Sequence, residues 1–240
     1  MANGFTIYRG PSLLDGSPIV VIATGFKVKS ENTKTGAMIQ TYILRADMVP
    51  TVAVKTGADA SICGNCALRG NGDGSGRRCY VTVGKGPQAV YRAFARGKYP
   101  PLADYSPFKG RKVRFGTYGD PAAVPLSVWQ GIAAVAAGWT GYTHQWRTTP
   151  ALQPYVMASA DSPEDALQAQ MRGWRTFRVV LPGAVERLEN EGRCPASAEA
   201  GKKLTCSICM ACSGGKRRGS IVIQAHGGFA VMANINRKAA

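Results

Sequence analysis

The chain lacks any long apolar run, and this absence excludes one class of protein. No stretch of its 240 residues reaches the roughly 18 consecutive apolar residues that a transmembrane helix needs, so we expect no membrane partner. The first residues, Met-Ala-Asn-Gly-Phe-Thr, lack the basic segment and apolar core of a secretory signal. We therefore expect a cytoplasmic protein.

Acidic residues and histidines are also scarce. Against 30 lysines and arginines stand 14 acidic residues, for a formal charge of +16, and there are only two histidines. The excess lies in two blocks: residues 61–115 hold eleven bases and two acids, and residues 193–240 hold eight bases and one acid. Because a cationic surface attracts polyanions, we expect DNA or RNA as a partner.

All seven cysteines lie in these two basic blocks. We name two sets: the first cysteine group is Cys63, Cys66 and Cys79, and the second cysteine group is Cys194, Cys206, Cys209 and Cys212. An odd count and the lack of a secretory signal argue against a disulfide framework. A gap of two residues lets two thiolates converge on one ion or cluster. We therefore expect all seven cysteines to be metal ligands.

The identity of the metal is a choice between iron and zinc. A closed zinc site needs four ligands, which the second group could supply, whereas the first group would need a histidine or an acid. The run from Cys206 to Cys212 resembles ferredoxin-type ligation. The ligand count favours one or two iron–sulfur clusters of the 4Fe-4S type, with zinc as the alternative. Arg77 and Arg78, beside Cys79, could neutralise cluster charge or hold a phosphate.

The residue pattern predicts an α/β fold that begins with β-structure. Alternation and turn signals predict a hairpin of strands at 19–22 and 38–44 and a further short strand at 49–54. From about residue 80 to 181, strands alternate with helices, which indicates a parallel layer that is a partial or complete (β/α) barrel.

This pattern divides the chain into three expected segments. Residues 1–60 form an N-terminal β-rich segment, residues 61–190 an α/β core with the first cysteine group, and residues 191–240 a cysteine-rich extension with the last strand. Polar residues follow the predicted strands, and sites gather at the carboxyl ends of parallel strands. We therefore expect Asp120, His144 and His226 to be catalytic. Asp161 follows a strand too, but a helix begins directly after it, with Asp161 or Ser162 as the expected N-cap, so a cap is favoured over a ligand at Asp161.

One resemblance rests on the order of these parts. A cysteine knuckle, a helix and a strand ending in Gly116-Thr-Tyr-Gly119-Asp120-Pro resemble a radical-SAM-type partial barrel. The resemblance implies a three-cysteine, four-iron cluster in the first group, whose open iron holds S-adenosylmethionine. Gly116, Gly119 and Asp120 would then bind that cofactor. The second group resembles an auxiliary-cluster extension of the same superfamily.

The whole chain also resembles a family of small cysteine-rich phage and prophage proteins. The likeness is carried by Cys63-Gly-Asn-Cys66-Ala-Leu-Arg69, Gly141-Tyr-Thr-His-Gln-Trp146 and Cys194-Pro-Ala-Ser197, and it implies a bacterial host or a phage-infected cell. Some such proteins are labelled as rolling-circle replication proteins. The paired metal-binding histidines of nicking enzymes are missing, because His144 and His226 are 82 positions apart.

Two functions stay open at this point. The first is an iron–sulfur protein, in its most specific form an enzyme of the radical-SAM type that acts on an anionic, nucleic-acid-related substrate. The second is a zinc-stabilised nucleic-acid-binding protein without catalysis, for example in phage replication. Bound iron and visible colour would distinguish the first from the second.

Overall fold

The computed structural model describes residues 2–29, 34–181, 187–197, 200–201, 204–215 and 218–225. His226 lies outside the described residues. Nine strands form one sheet: β1 (Gly4–Pro11), β2 (Pro18–Thr24), β3 (Ile39–Arg45), β4 (Lys112–Tyr118), β5 (Gly138–Thr143), β6 (Met157–Ala160), β7 (Thr176–Val180), β8 (Glu191–Arg193) and β9 (Ser220–Gln224).

Short helices connect the strands. The α-helices are α1 (Pro50–Lys55), α2 (Ala60–Cys63), α3 (Gly86–Ala95), α4 (Leu126–Val135), α5 (Pro163–Met171) and α6 (Cys206–Cys209). Single 3₁₀ turns occur at Ala67–Arg69, Ser106–Phe108, Pro121–Ala123 and Pro150–Leu152. Among the described residues, no helix has the length and apolar character needed to cross a bilayer.

The sheet is mixed but mostly parallel. Its strand order is β1-β2-β3-β4-β5-β6-β7-β9-β8, with antiparallel pairing of β1 with β2 and of β2 with β3, and parallel pairing from β3 onward. The expected α/β class and N-terminal hairpin are confirmed. The sheet is not closed, so a barrel is not confirmed, and strands from all three expected segments join this one sheet.

The prediction of a strand at 49–54 is wrong, because residues Pro50–Lys55 form the helix α1. Pro50 occupies the first turn of α1, where its fixed backbone angle suits a helix and its missing N–H costs nothing. Pro50, Ala53 and Val54 are buried while Val52 is exposed, which is helical spacing rather than the alternation of a strand.

The core is built from the parallel strands and the helices that cover them. The ring of Phe115 on β4 lies 4.8 Å from that of Trp129 on α4, and both side chains are fully buried. Trp146 and Trp174 are also buried, and the indole of Trp139 donates to the carbonyl of Tyr155. The four tryptophans therefore serve packing.

The start of helix α5 shows how local sequence places the Asp161 side chain. Ser162 is its N-cap and accepts a hydrogen bond from the backbone N–H of Asp165, and Pro163 occupies the first turn. The cap is therefore Ser162, and the carboxylate of Asp161, directly before it, is directed instead to His144.

Two long connections carry the cysteines. The first cysteine group lies between β3 and β4, and the second lies between β8 and β9. A buried ion pair joins Arg178 on β7 to Glu191 on β8, with a shortest distance of 2.6 Å. Directly after β8, the N–H of Cys194 donates to the carbonyl of Val222 on β9. The sheet edge therefore fixes the start of the second group.

Candidate metal centre

One cavity of about 220 Å³ is lined by all seven cysteines. It lies against one face of the parallel strands, since its lining takes alternate side chains such as Thr140 and Tyr142 from β5, and Phe177 and Val179 from β7. On the same measure a single water needs about 10–15 Å³. The cavity is therefore large enough for a ligand or a cluster.

The first cysteine group lies at the carboxyl ends of the parallel strands. Cys63 ends α2, and Gly64 reverses the chain with a φ of 58°. The amide of Gln145, two residues after β5, donates to the carbonyl of Cys63. The Sγ of Cys66 lies 3.6 Å from Nε2 of His144. The loop that bears this group is thus held against the end of β5.

A buried carboxylate anchors the same loop through hydrogen bonds to two arginines. Asp59, 1% exposed, accepts two hydrogen bonds from Arg69, the shorter at 2.6 Å, and one from Arg77 at 3.4 Å. Arg69 also donates to the carbonyls of Gly57 and Gly64. One acid therefore connects α2, the 3₁₀ turn and the segment that precedes Cys79.

In the second cysteine group, Cys206 lies near the amino ends of the strands. The N–H of Cys206 donates to the carbonyl of Lys34, upstream of β3. The ammonium of Lys112, the first residue of β4, donates to the carbonyl of Ser207. Since β4 has seven residues, it spans roughly 20 Å. The two groups therefore approach one cavity from opposite ends.

Arg175 fixes the end of the second group by binding its backbone. Its guanidinium donates to the carbonyls of Ala211, Ser213 and Gly219. The carbonyl of Cys212 also accepts from the N–H of Gly141 on β5. The segment around Cys212 is thereby bound to the sheet by main-chain hydrogen bonds.

In each group, buried thiols such as Cys63 and Cys212 lie in surroundings that disfavour negative charge. Burial raises the pKa of Cys63 well above its usual value, and the neighbouring thiols of Cys66 and Cys79 add to this. Burial likewise raises the pKa of Cys212 to about 12, against the opposing effects of Tyr142 and Arg114. Thiolates at these positions need compensating positive charge.

Some arginines of residues 61–115 face the cavity and supply such positive charge. Arg114 is 6% exposed and lines the cavity with Arg78, while Arg77 is paired with Asp59. Nη2 of Arg77 and Nε of Arg78 are buried with no hydrogen-bond partner in the described part of the chain. Of the eleven bases in residues 61–115, the exposed ones are Lys85, Arg92, Arg96, Lys98 and Lys109.

Asp120 and His144 meet at the cavity through the backbone. One oxygen of the buried Asp120 carboxylate accepts from the N–H of Ala122 and the other accepts from the N–H of His144. Burial raises the pKa of Asp120, although these hydrogen bonds oppose the rise. The carboxylate thus fixes the turn that presents the His144 ring.

The His144 ring is polarised by two partners. Its Nε2 lies 3.2 Å from Oδ1 of Asp161 and 3.6 Å from the sulfur of Cys66. Burial lowers the pKa of His144, but the hydrogen bonds to Asp161 and Cys66 outweigh it, so the pKa lies well above its usual value. The ring therefore favours its charged form beside the first cysteine group.

Gly116, near the end of β4, and Gly119, directly after it, are required by the backbone. Their φ angles are 64° and 84°, which disfavour any side chain. A Cβ on Gly119 would lie 2.6 Å from the Cβ of Ile43, and one on Gly116 would lie 2.5 Å from the carbonyl of Gly119. Backbone geometry alone accounts for both glycines.

The cavity brings together most of the residues that the sequence singled out. Its lining includes the seven cysteines, Arg78, Gly116, Gly119, Asp120 and His144. Sequence reasoning missed Arg114, Tyr118, Thr140 and Tyr142, which line the same space. The sequence carried one signal of these residues, which is the charged Arg114 between the apolar Val113 and Phe115.

Over the described ranges, no group of three or more histidine, cysteine, aspartate or glutamate side chains is arranged to hold a metal ion. No family model, curated protein or solved structure matches the chain. The function is therefore argued from the residues of the cavity.

We expect the substitution Asp59→Asn to destabilise the protein, because it leaves two largely buried guanidinium groups without their shared carboxylate. The expected loss is about 3 kcal/mol of unfolding free energy, measured by urea denaturation followed by tryptophan fluorescence.

Asp73→Asn is the matched control, since Asp73 lies exposed in the same loop and its carboxylate accepts from Ser75. Its effect should stay within about 0.5 kcal/mol. Equal urea midpoints for Asp59→Asn and the unmodified protein would show that this carboxylate does not hold the loop.

Proposed function

We propose that the chain is an iron–sulfur protein with one cluster in each cysteine group, and that the cavity between them binds a small anionic substrate. The observation that carries this proposal is the position of the cysteines. All seven line one cavity, none forms a disulfide, and they reach it from two segments that are far apart in the sequence.

The donor set favours iron–sulfur over zinc. Seven soft thiolate ligands suit iron–sulfur clusters, and the second group alone offers the four thiolates that one cluster takes. The cysteines surround a ligand-sized space, which is what a multi-iron cluster requires. Clusters ligated by thiolates are anionic, and the inward-facing Arg78 and Arg114 match that charge. Zinc remains the alternative metal.

The first group has three cysteines, which leaves one iron of a four-iron cluster open. The radical-SAM resemblance assigns that position to S-adenosylmethionine, and the turn from Gly116 to Asp120 lines the same end of the cavity. In such a pair the cluster supplies one-electron chemistry to the bound cofactor. The spacing differs from that superfamily, whose cysteine gaps are three and two residues rather than two and twelve.

The chain's own residues supply binding groups within the cavity. The hydroxyls of Tyr118 and Thr140 are buried without a hydrogen-bond partner among the described residues, and both side chains line the cavity. Such groups are costly to leave unpaired, so they suit a substrate with acceptor oxygens. Asp161 and His144 would position polar groups of the same molecule at the carboxyl end.

We also propose a polyanionic partner, DNA or RNA, in keeping with the phage and prophage proteins that the chain resembles. Lys85, Arg92 and Arg96 are exposed and are spaced seven and four residues apart along α3 and its caps, so they share one face of the helix. This row of cations is the part of the first basic block best placed to meet phosphates.

Salt-dependent binding tests the polyanion partner. The logarithm of the affinity for single- and double-stranded probes should fall linearly with the logarithm of salt concentration, with a slope of about −0.9 for each phosphate contacted on duplex DNA. The triple change Lys85→Ala, Arg92→Ala and Arg96→Ala should flatten the slope, whereas Lys109→Ala should change it little. Salt-insensitive binding would contradict a nucleic-acid partner.

Metal analysis of anaerobically purified protein tests the clusters. The protein should be coloured and should carry about eight irons per chain if both groups hold four-iron clusters. Replacing all three cysteines of the first group by serine should remove about half of the iron, and so should the same change at Cys206, Cys209 and Cys212.

The matched controls are Asn65→Ser and Ile208→Ser, because both residues are exposed and lie between two cysteines of a knuckle. They should keep the full iron content. A colourless protein with stoichiometric zinc would overturn the iron–sulfur proposal.

A further inference from the structure

Arg114 is a buried cation that no acid of the described chain balances. It lies between the fully buried Val113 and Phe115 on β4 and is itself 6% exposed. In the described part of the chain, no carboxylate lies within 4.0 Å of its guanidinium. Because a buried charge without a counter-charge is strongly destabilising, the cavity that Arg114 lines is suited to receive an anion.

The contacts that Arg114 makes with side chains are with tyrosines. Its guanidinium carbon lies 4.4 Å from the centroid of the Tyr142 ring, and its Nη2 donates to the hydroxyl of Tyr80 over 3.4 Å, which is longer than an ordinary N–H···O hydrogen bond. Tyrosine side chains are ordinarily neutral at pH 7. These contacts hold the guanidinium in place, but they supply no negative charge.

Thr140 places a second donor on the same wall of the cavity. It is in register with Arg114 on the neighbouring strand β5, and both side chains line the cavity. The Thr140 hydroxyl is buried without a hydrogen-bond partner among the described residues. A guanidinium and a hydroxyl on one wall are donors that suit the oxygens of a phosphate.

The acids of the cavity lie towards its other end. Asp120 and Asp161 are the carboxylates in the lining, and they follow β4 and β6 at the carboxyl ends of these strands. Arg114 is the third residue of β4, so it lies nearer the amino ends. An anionic group therefore favours the part of the cavity beside Arg114.

Aromatic rings form much of the wall around this cation. The rings of Tyr142 and Phe177 have centroids 4.2 Å apart, and both residues line the cavity. Tyr80 lines it too but is 50% exposed, so this ring borders both the cavity and the solvent. Aromatic side chains are surfaces on which nucleobases stack, and the wall therefore suits a flat aromatic group.

From the unbalanced cation, the unpaired hydroxyl and these rings we infer that the cavity binds a nucleoside monophosphate. Its phosphate lies on Arg114 and Thr140, and its base lies on the side of Tyr80. The inference names the class of the small anionic substrate and rests on that part of the proposed function, but it requires no cluster. Binding supplies the counter-charge of Arg114 and an acceptor for Thr140.

Isothermal titration calorimetry on the anaerobically purified protein tests this inference. The monophosphates of adenosine, guanosine, cytidine and uridine are each compared with the nucleoside that lacks the phosphate, and inorganic phosphate is titrated alone. At least one monophosphate should bind about ten- to a hundredfold more tightly than its nucleoside, since hydrogen bonds to charged groups contribute that much.

Arg114→Met removes the charge and keeps an unbranched side chain. It should weaken binding of the monophosphate about ten- to a hundredfold and leave binding of the nucleoside nearly unchanged. Arg114→Lys, which keeps the charge, should retain part of the affinity. Arg111→Met is the matched control, because Arg111 donates to the carbonyl of Gly25 and is not part of the cavity lining. It should leave both affinities unchanged.

Two further readouts separate binding from folding. Because Arg114 is unbalanced in the ligand-free protein, its replacement by methionine should not lower the urea midpoint. Tyr80→Leu removes a half-exposed ring and should weaken binding of the nucleoside and of its monophosphate alike, by about fivefold or more. This second variant tests the site even if Arg114→Met does not fold.

The outcomes distinguish this inference from the proposed function when iron is measured on the same samples. If the protein carries iron but binds no monophosphate, this inference is overturned and the clusters stand. If a protein without iron binds a monophosphate through Arg114, the inference stands and the clusters fall. Equal affinities for monophosphate and nucleoside would overturn the phosphate site. Inorganic phosphate bound as tightly as any monophosphate would overturn the nucleotide while keeping an anionic substrate.

Discussion

The constraint on which the rest of the structure depends is charge compensation inside one cavity. Seven thiols line a mostly apolar space, burial there disfavours ionisation of Cys63 and Cys212, and Arg78 and Arg114 from residues 61–115 face the same space. A bound cluster would resolve both problems together, because its irons bind the thiolates and the arginines balance the net negative charge that remains. The positive charge of Arg78 and Arg114 is therefore explained by the cavity that they line.

The fold brings this arrangement about through two long connections of one parallel sheet. One leaves β3 and presents the first cysteine group at the carboxyl ends of the strands, clamped by Asp59. The other lies between β8 and β9, presents Cys206 of the second group near the amino ends, and is held by Arg175 and by Lys112. Strands β4 and β5 supply Arg114, Thr140 and Tyr142, so the sheet itself forms one wall of the cavity.

Sequence reasoning predicted the α/β alternation and the grouping of the cysteines because both are local patterns. It made a strand of residues 49–54, because the apolar Val52 and Val54 alternate there, although Pro50 starts a helix. It offered Asp161 or Ser162 as the cap of the next helix, and Ser162 is the cap. It could not place the two cysteine groups at opposite ends of one cavity, nor pair Arg114 with Tyr142, because such contacts depend on strand register across the sheet.

Anomalous diffraction at the iron edge from anaerobically grown crystals tests the central claim most directly. The account predicts two separate iron peaks within one cavity, one beside Cys63, Cys66 and Cys79 at the carboxyl ends of the strands and one beside Cys206 at their amino ends. A single shared peak, or peaks at the zinc edge instead, would contradict it.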